Sequence, residues 1–371
     1  MQGNATHDKK QNVPPRIRSF LKSFMLTSVI LSVIITVGYF AWNTTVTPPE
    51  TPPLGLMAMP PVQRPSNPDA DLWEWVYDGF EGDTDAFWPA PERFTDGDRR
   101  GMFWTFLIIG LNEGTNVNTA MVASYCGITR TANLISIPRD APVHATRRGR
   151  KLSSSYLAGA GGGRGRAGGV AQVQRDIMGV IGFVPDFYVV IDYDTFFTIV
   201  DAIGGIEIYV PMRMRYDDPW QDLVIDIMPG LQHMDGRTAL EFSRFRRANR
   251  GYAGISDYQR MENQQAVVNA VLTGLLRPSN ILRIPEFVGI FNESVYTNLS
   301  FSEMMWFALE LNHIRGAEEP LSTYTFQPIG PGQAPHFYEF LDPRAALALI
   351  NRTINPFNRN LEARDLNIIT G

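Results

Sequence analysis

The chain has 371 residues, of which 44% are hydrophobic and 11% aromatic, a composition typical of a folded protein with a sizeable core. Its net charge is −5, and because proteins that bind nucleic acid usually carry a basic face, no nucleic-acid partner is expected. The single cysteine, Cys126, excludes an internal disulfide and leaves the redox compartment open.

An uncharged apolar segment near the N-terminus predicts one membrane-spanning helix. Residues 24–42 contain no charged residue, and at about 1.5 Å per residue such a helix nearly spans a hydrocarbon core of about 30 Å. Lysine and arginine dominate residues 1–23, so the positive-inside rule predicts a cytoplasmic tail. The alternative is a cleaved signal peptide. Both interpretations place the rest of the chain outside the cytoplasm, and the first predicts a single-pass protein of the cell membrane.

Composition divides the remainder into three parts. Residues 43–100 are rich in proline and predict an extended linker. Residues 101–355 carry the patterns of regular secondary structure and predict one extracytoplasmic domain. Residues 356–371 are assigned to a C-terminal tail.

Strands and helices alternate within the predicted domain. The run MFWTFLIIG predicts a strand buried on both faces, and TAMVASY, TANLISIP, DFYVVIDY and IEIYV predict further strands. The segment DTFFTIVDAIGG predicts a helix capped by Asp194 and ending before Gly204. Later helices have capping signals at Asp235, at the pairs Ser256/Gln259 and Ser300/Glu303, and at Asp342 before Pro343. The alternation favours an α/β fold with helices on both faces of a sheet.

Positive charge is concentrated in EFSRFRRANRGYAGISDYQR, residues 241–260. The only acids in this stretch are Glu241 and Asp257, whereas its arginines are Arg244, Arg246, Arg247, Arg250 and Arg260. Like charges held together repel unless a multiply negative group lies among them, and arginine binds phosphate oxygens in a bidentate manner. The stretch therefore predicts a phosphate or pyrophosphate site, with a solvated basic surface as the alternative.

The helix that follows Ser256 places Arg260 and Gln264 on the same side, at the edge of its apolar stripe. A guanidinium group in that position needs an anion or hydrogen-bond acceptors. The alternative to a ligand is a salt bridge to Asp257 or Glu262.

Two further stretches offer groups for an anion. SIPRDAPV places Arg139 and Asp140 directly after a buried strand, where α/β proteins form ligand sites. RRGRKLSSSY adds Lys151 and the arginines at 147, 148 and 150. The glycine-rich stretch that follows lacks the G-K-[ST] of a P-loop and is interpreted as a mobile flap leading into a helix N-terminus.

Oxygen donors cluster in GLNEGTNVNTAM, after the first strand. Asn112, Glu113 and Asn118 are candidate ligands of Mg²⁺, which prefers oxygen and usually a carboxylate. Turn residues that bond their own backbone are the alternative interpretation.

Taken in order, FLIIGLNEGTNVNTAMVAS, NLISIPRDAPV, KLSSSYLAG, FYVVIDYDTFFTIVDAIGGIEIYV, GLQHMDGRTALEFSRFR and DYQRMENQQ resemble the motifs of the LytR-CpsA-Psr family of cell-envelope proteins. The resemblance implies an α/β/α sandwich around a central mixed sheet. It also implies a membrane-anchored phosphotransferase that moves a glycopolymer phosphate from a polyprenyl-pyrophosphate carrier to a peptidoglycan hydroxyl. The lipid would lie in an apolar pocket, with arginines binding the pyrophosphate at its mouth.

By motif, the resemblance assigns Arg139 to the family's P-R-D arginine and Lys151 to the lysine that follows it. Arg244 and Arg246 match an R-x-R pair, and Arg260 and Gln264 match the helix that begins D-x-x-R. The resemblance thus implies pyrophosphate binding by all six residues. The implied catalytic groups are Arg139, Arg244, Arg246 and Asp257.

The sequence departs from the family at the metal loop, where Asn112 and Asn118 stand in place of two aspartates. Fewer negative ligands weaken the binding of Mg²⁺ or Mn²⁺ and remove a candidate base, leaving Asp140 or Asp257 for that role. A non-catalytic protein that binds polyprenyl-pyrophosphate glycans, or a pyrophosphatase, is therefore the alternative function.

Overall fold

The computed structural model describes residues 48–50, 98–112, 116–143, 151–220, 223–314, 321–329 and 338–369. Within these ranges no helix is both long and apolar enough to cross a membrane. The predicted cytoplasmic tail and membrane helix, residues 1–42, lie outside the described residues, as does most of the predicted linker.

In chain order the strands are β1 (Phe103–Leu111), β2 (Val117–Cys126), β3 (Thr131–Ile137), β4 (Phe187–Ile191), β5 (Ile206–Val210), β6 (Met214–Asp218), β7 (Leu223–Ile227), β8 (Gly230–Met234), β9 (Tyr296–Thr297) and β10 (Ser322–Thr325). A six-stranded sheet has the order β10-β3-β2-β1-β4-β9. β1 pairs antiparallel with β2 and parallel with β4, and β3 pairs parallel with β10. The predicted mixed sheet is therefore confirmed.

The helices are α1 (Ser155–Ala160), α2 (Gly165–Ile181), α3 (Tyr193–Ala202), α4 (Gly236–Arg244), α5 (Asp257–Leu275), α6 (Pro278–Ile281), α7 (Ile284–Ser294), α8 (Phe301–Glu310) and α9 (Pro343–Thr353). Both predicted capping boxes are present, and Asp235 and Asp342 cap their helices. One expected cap is wrong. Asp192 rather than Asp194 accepts the N-terminal hydrogen bond of α3, because the helix begins at Tyr193.

One face of the sheet is closely packed. The β1 residues Leu107 and Ile109 are fully buried against Val170, Val173 and Ile177 of α2, in a core to which α9 also contributes. The α1–α2 pair replaces the expected flap. Gly159 and Gly168 approach so closely that a Cβ atom on either would collide with the backbone of the other.

The opposite face of the same strands borders a cavity. Phe106 and Ile108 alternate with the buried residues of β1 and line it, together with side chains of α3, α5, α7 and α8. A continuous apolar run was interpreted as a strand buried on both faces, and the structure shows that only one face is closely packed. The helices on this side complete a layered arrangement of helix, sheet and helix.

Two small antiparallel pairs extend the second helical layer. β5 pairs with β8, and β6 pairs with β7, around a separate apolar core. Of these strands, only β5 is predicted by the sequence patterns.

The folded body includes residues from both predicted flanking segments. Arg99 forms a buried ion pair with Asp186 at 2.7 Å, and Phe357 and Leu361 are buried in the main core. Residues 98–100 and 356–369 therefore pack against the domain. The Arg99 guanidinium pairs with a carboxylate there, and the side chains of Phe357 and Leu361 are buried in its core.

Candidate functional site

An apolar cavity of about 370 Å³ lies between the sheet and the helices of its second face. Its lining runs along β2 from Asn118 to Tyr125, a span of roughly 23 Å at about 3.3 Å per strand residue. At the Tyr125 end, the phenol donates a hydrogen bond to Glu310 at 2.7 Å. The shape and lining suit an elongated apolar chain.

A polar cavity of about 650 Å³ adjoins the apolar one. The two cavities share the lining residues Leu111, Asp192, Tyr193 and Leu240. Three arginines line the polar cavity: Arg166 at the start of α2, Arg237 at the start of α4 and Arg244 at the end of α4. Asp192, Asp194 and Glu241 line the same cavity, so a molecule that fills both cavities would carry an apolar part and a part that meets charged groups of both signs.

Arg244 is half-buried, and its guanidinium lies 4.9 Å from the centre of the Tyr193 ring. A planar guanidinium stacked on an aromatic ring has a restricted orientation, which favours bidentate recognition of phosphate. The predicted phosphate-binding role of Arg244 fits this position in the polar cavity.

Asp257 is the centre of a second cationic group. Its carboxylate lies 3.1 Å from Arg246 Nε and 3.2 Å from the Arg260 guanidinium, and Arg139 Nε is 4.0 Å away. Asp257 and Arg260 are both buried, whereas Arg246 is 44% exposed. The structure thus brings together the predicted residues Arg139, Arg246, Asp257 and Arg260, with one carboxylate among three guanidinium groups.

Burial lowers the pKa of Arg260 to about 10, with Arg139 and Arg246 lowering it further and Asp257 opposing them. The group remains charged near neutral pH. A buried cation with two cationic neighbours is a site that an additional anion would stabilise.

Lys151 and Gln264 complete the predicted set. The Lys151 ammonium group contacts Asp140 at 2.8 Å, and Asp140 is 3.8 Å from Arg139. Gln264 is buried, lines the apolar cavity and donates a 3.5 Å hydrogen bond to the carbonyl of Ser243. Gln264 therefore connects the helix that carries Arg260 to the end of α4, directly before Arg244.

The two described candidate metal ligands do not fit Mg²⁺. The amide oxygen of Asn118 accepts a 2.6 Å hydrogen bond from Arg139, and that of Asn112 accepts one from the Asn116 backbone. A divalent cation at Asn118 would face a guanidinium group, and neither donor is charged. The third candidate, Glu113, lies outside the described residues, and those that are described contain no group of three or more acidic, histidine or cysteine side chains suited to a metal.

Sequence reasoning missed Arg166 and Arg237. Arg166 was hidden in the glycine-rich stretch, and Arg237 follows the cap of α4 in the quoted motif HMDGR, where it looks like an ordinary surface residue. Only the meeting of α2 and α4 around the polar cavity distinguishes them from other exposed arginines. The arginines at 147, 148 and 150 lie outside the described residues.

The structure defines a mixed α/β protein with an apolar channel beside a cavity that three arginines and three carboxylates line. A model of the LytR_cpsA_psr family matches residues 97–328, more than half of the chain. The chain belongs to this family.

Two curated relatives are named polyisoprenyl-teichoic acid–peptidoglycan teichoic acid transferases. TagV of Bacillus subtilis is 26% identical over 179 residues, which cover 47% of this chain and 42% of TagV. TagU of Bacillus licheniformis is 23% identical over 178 residues, covering 47% of this chain and 52% of TagU. A third relative, MsrR of Staphylococcus aureus, named a regulatory protein, is 22% identical and covers 58% of this chain and 62% of its own. The chain thus spans about half the length of the transferases it matches.

Solved structures agree on the fold. The crystal structure of Bacillus subtilis TagV superposes with a TM-score of 0.54 at 20% identity, covering 68% of this chain and 96% of that one. TagT bound to LIIa-WTA superposes with a TM-score of 0.52 at 17% identity, covering 68% of this chain and 89% of that one.

Proposed function

We propose that this protein is a membrane-anchored phosphotransferase of the cell envelope. Its donor would be a polyprenyl-pyrophosphate-linked glycopolymer, and its acceptor a hydroxyl group of peptidoglycan. The observation that carries the proposal is the apolar cavity of about 370 Å³ adjoining an arginine-lined cavity of about 650 Å³. The names of the relatives TagV and TagU support the same reaction class.

Substrate binding follows from the two environments. The polyprenyl chain would lie along β2 in the apolar cavity, where burial of its hydrocarbon favours binding by about 25 cal/mol per Å². The pyrophosphate would meet Arg244 and Arg166, and the Asp257 group would approach it through Arg139, which donates to the cavity-lining Asn118. The bound anion would reduce the mutual repulsion of these guanidinium groups.

In the proposed reaction, the acceptor oxygen bonds to the glycan-side phosphorus while the bond from that phosphorus to the bridging oxygen breaks. The electron pair remains on the bridging oxygen, which leaves as polyprenyl phosphate. Negative charge grows on the leaving group, and arginines already held in place by Tyr193 and Asp257 would stabilise it.

A non-catalytic binding protein is the second candidate, favoured by one observation. Asp140 and Asp257, the carboxylates expected to act as base, are both ion-paired with cations, so either would have to leave an ion pair to take up a proton. A pyrophosphatase, which transfers the glycan phosphate to water, would use the same binding site.

One assay separates these functions. The full-length chain in detergent is incubated with a polyprenyl-pyrophosphate glycan, with and without peptidoglycan. We expect polyprenyl phosphate and wall-linked glycan to appear only when the acceptor is present. Polyprenyl phosphate without acceptor would support the pyrophosphatase, and retention of intact lipid would support the binding protein.

The variant Arg244→Ala should abolish lipid binding or turnover, and Arg250→Ala, which removes an exposed arginine of the same stretch, is its matched control. Equal activity in both variants and the unaltered protein would contradict the assignment of the site.

A further inference from the structure

Buried polar groups without hydrogen bonds gather beside the Asp257 group. Among the described residues, buried atoms that lack a hydrogen-bond partner include Tyr258 Oη, Arg260 Nε and Glu339 Oε2. Such groups are rare in folded proteins, and a functional role is one explanation for them. Two belong to the start of α5, whereas Glu339 comes from a distant part of the chain.

The backbone places Glu339 over the loop that follows β3. Its N–H donates to the Asp140 carbonyl at 3.1 Å, and the carbonyl of the next residue, Phe340, accepts from Ile329 at 2.8 Å. Pro328 and Leu341 form an antiparallel bridge beside it. Glu339 lies beyond the family match of residues 97–328, so the family pattern assigns it no role.

Charges from several elements act on the Glu339 carboxyl. Burial raises its pKa above the usual value, Asp257 and Asp140 raise it further, and Arg260 and Arg246 oppose them. Burial raises the pKa of the neighbouring Tyr258 phenol, and the charges of Glu339 and Asp257 raise it further. Lys151 lies nearby, 5.8 Å from the ring of the preceding residue, Tyr338. A carboxylate whose pKa is closer to neutral is a better proton acceptor at neutral pH.

The other carboxylates of the cluster are already paired with cations. Asp257 contacts two guanidinium groups at 3.1 and 3.2 Å, and Asp140 contacts the Lys151 ammonium at 2.8 Å. In the described structure Glu339 Oε2 has no such partner. This buried oxygen would therefore gain a hydrogen-bond partner from a hydroxyl group that reached it.

We propose that Glu339 Oε2 accepts the proton of the acceptor hydroxyl during transfer, an inference that rests on the proposed function. The O–H bond of the acceptor breaks, its oxygen forms the new bond to phosphorus, and polyprenyl phosphate leaves with the electron pair. The proton then passes from Glu339 to solvent or to the departing phosphate.

Glu339→Gln tests this role in the full-length chain. The amide keeps the size of the side chain but cannot take up the proton, so we expect kcat to fall by about 100-fold or more with an unchanged KM for the polyprenyl-pyrophosphate glycan. The rate of the unaltered protein should fall as pH decreases through the raised pKa of Glu339, and this acid limb should disappear in Glu339→Gln. Glu339→Asp should recover part of the rate. Glu262→Gln, an exposed carboxyl on α5, is the matched control.

The outcomes separate this inference from the proposed function. If the unaltered protein transfers glycan and Glu339→Gln transfers it equally well, or loses rate at every pH without a change in profile, Glu339 is not the proton acceptor and the proposed function stands. If the unaltered protein binds the lipid without transferring glycan, both fail.

Discussion

Arg139 donates a 2.6 Å hydrogen bond to the amide oxygen of Asn118. Asn118 lies near the start of β2 and lines the apolar cavity, so this bond connects the cavity to the Asp257 group. In the LytR-CpsA-Psr pattern, this position is expected to carry an acidic metal ligand. Here the residue is a neutral asparagine, and its amide oxygen accepts from a guanidinium group.

Metal removal tests this relationship. Because Asn118 is neutral and already bound to a cation, we expect the transfer rate to be unchanged when EDTA replaces added Mg²⁺ or Mn²⁺. A tenfold or greater loss in EDTA, restored by Mg²⁺, would show that other residues hold a metal. Arg139→Gln, which removes the charge but can still donate to Asn118, should lose activity that Mg²⁺ does not restore.

Replacing the central carboxylate should destabilise the domain. Asp257→Asn leaves Arg260, whose side chain is 6% exposed, without its nearest counter-charge, and we expect the free energy of unfolding to fall by about 3 kcal/mol. Glu286→Gln, which removes half of an exposed pair with Arg283, should cause no measurable change. Denaturant titration measures both variants.

The same variant should respond more strongly to an anion. Inorganic pyrophosphate replaces part of the lost negative charge, so it should raise the melting temperature of Asp257→Asn by more than that of the unaltered protein. Equal shifts would indicate that pyrophosphate binds elsewhere.

The two faces of β2 should tolerate added volume differently. Ala123 lines the apolar cavity, whereas its neighbour Val122 is fully buried in the opposite core. We expect Ala123→Phe to fold with near-normal stability but to bind the polyprenyl lipid at least tenfold more weakly. Val122→Phe should unfold at lower denaturant because a packed core resists larger side chains. Lipid binding by Ala123→Phe at the original affinity would exclude the cavity as the lipid site.

The buried pair of Arg99 and Asp186 should hold the start of the domain in place. Thr105 also donates to Asp186, through its backbone and its hydroxyl at 2.8 Å each. Asp186→Asn should lower the free energy of unfolding by about 3 kcal/mol, since it leaves a buried guanidinium unpaired. Asp98→Asn, in the more exposed pair with Arg359, is the control and should have a small effect. A similar effect of the two variants would indicate that the buried pair contributes little.

Local patterns predicted the secondary structure well where the controlling interactions are local. The capping boxes at Ser256 and Ser300 link residues three apart, so composition and spacing suffice to identify them. The shift from Asp194 to Asp192 shows the limit. Both residues suit an N-cap, and only the structure shows that the helix begins at Tyr193, so that Asp192 precedes the first turn.

The candidate site divides in the same way. The arginine cluster of residues 244–260 was evident from charge, and the shared side of Arg260 and Gln264 from helical spacing, whereas the R-x-R pair came from the family resemblance. The apolar cavity was not evident from the sequence. An apolar run such as β1 has the same sequence pattern whether its second face is closely packed or borders a cavity.

By itself, the sequence determined that an α/β domain carries a cluster of arginines, because periodicity, caps and charge density are properties of neighbouring residues. Only the tertiary structure decided that Arg139 approaches Asp257, that Arg166 joins Arg244, and that Glu339 reaches the same cluster. The physical reason is that these contacts join segments far apart in the chain. Their energies depend on distance and burial, which no local pattern contains.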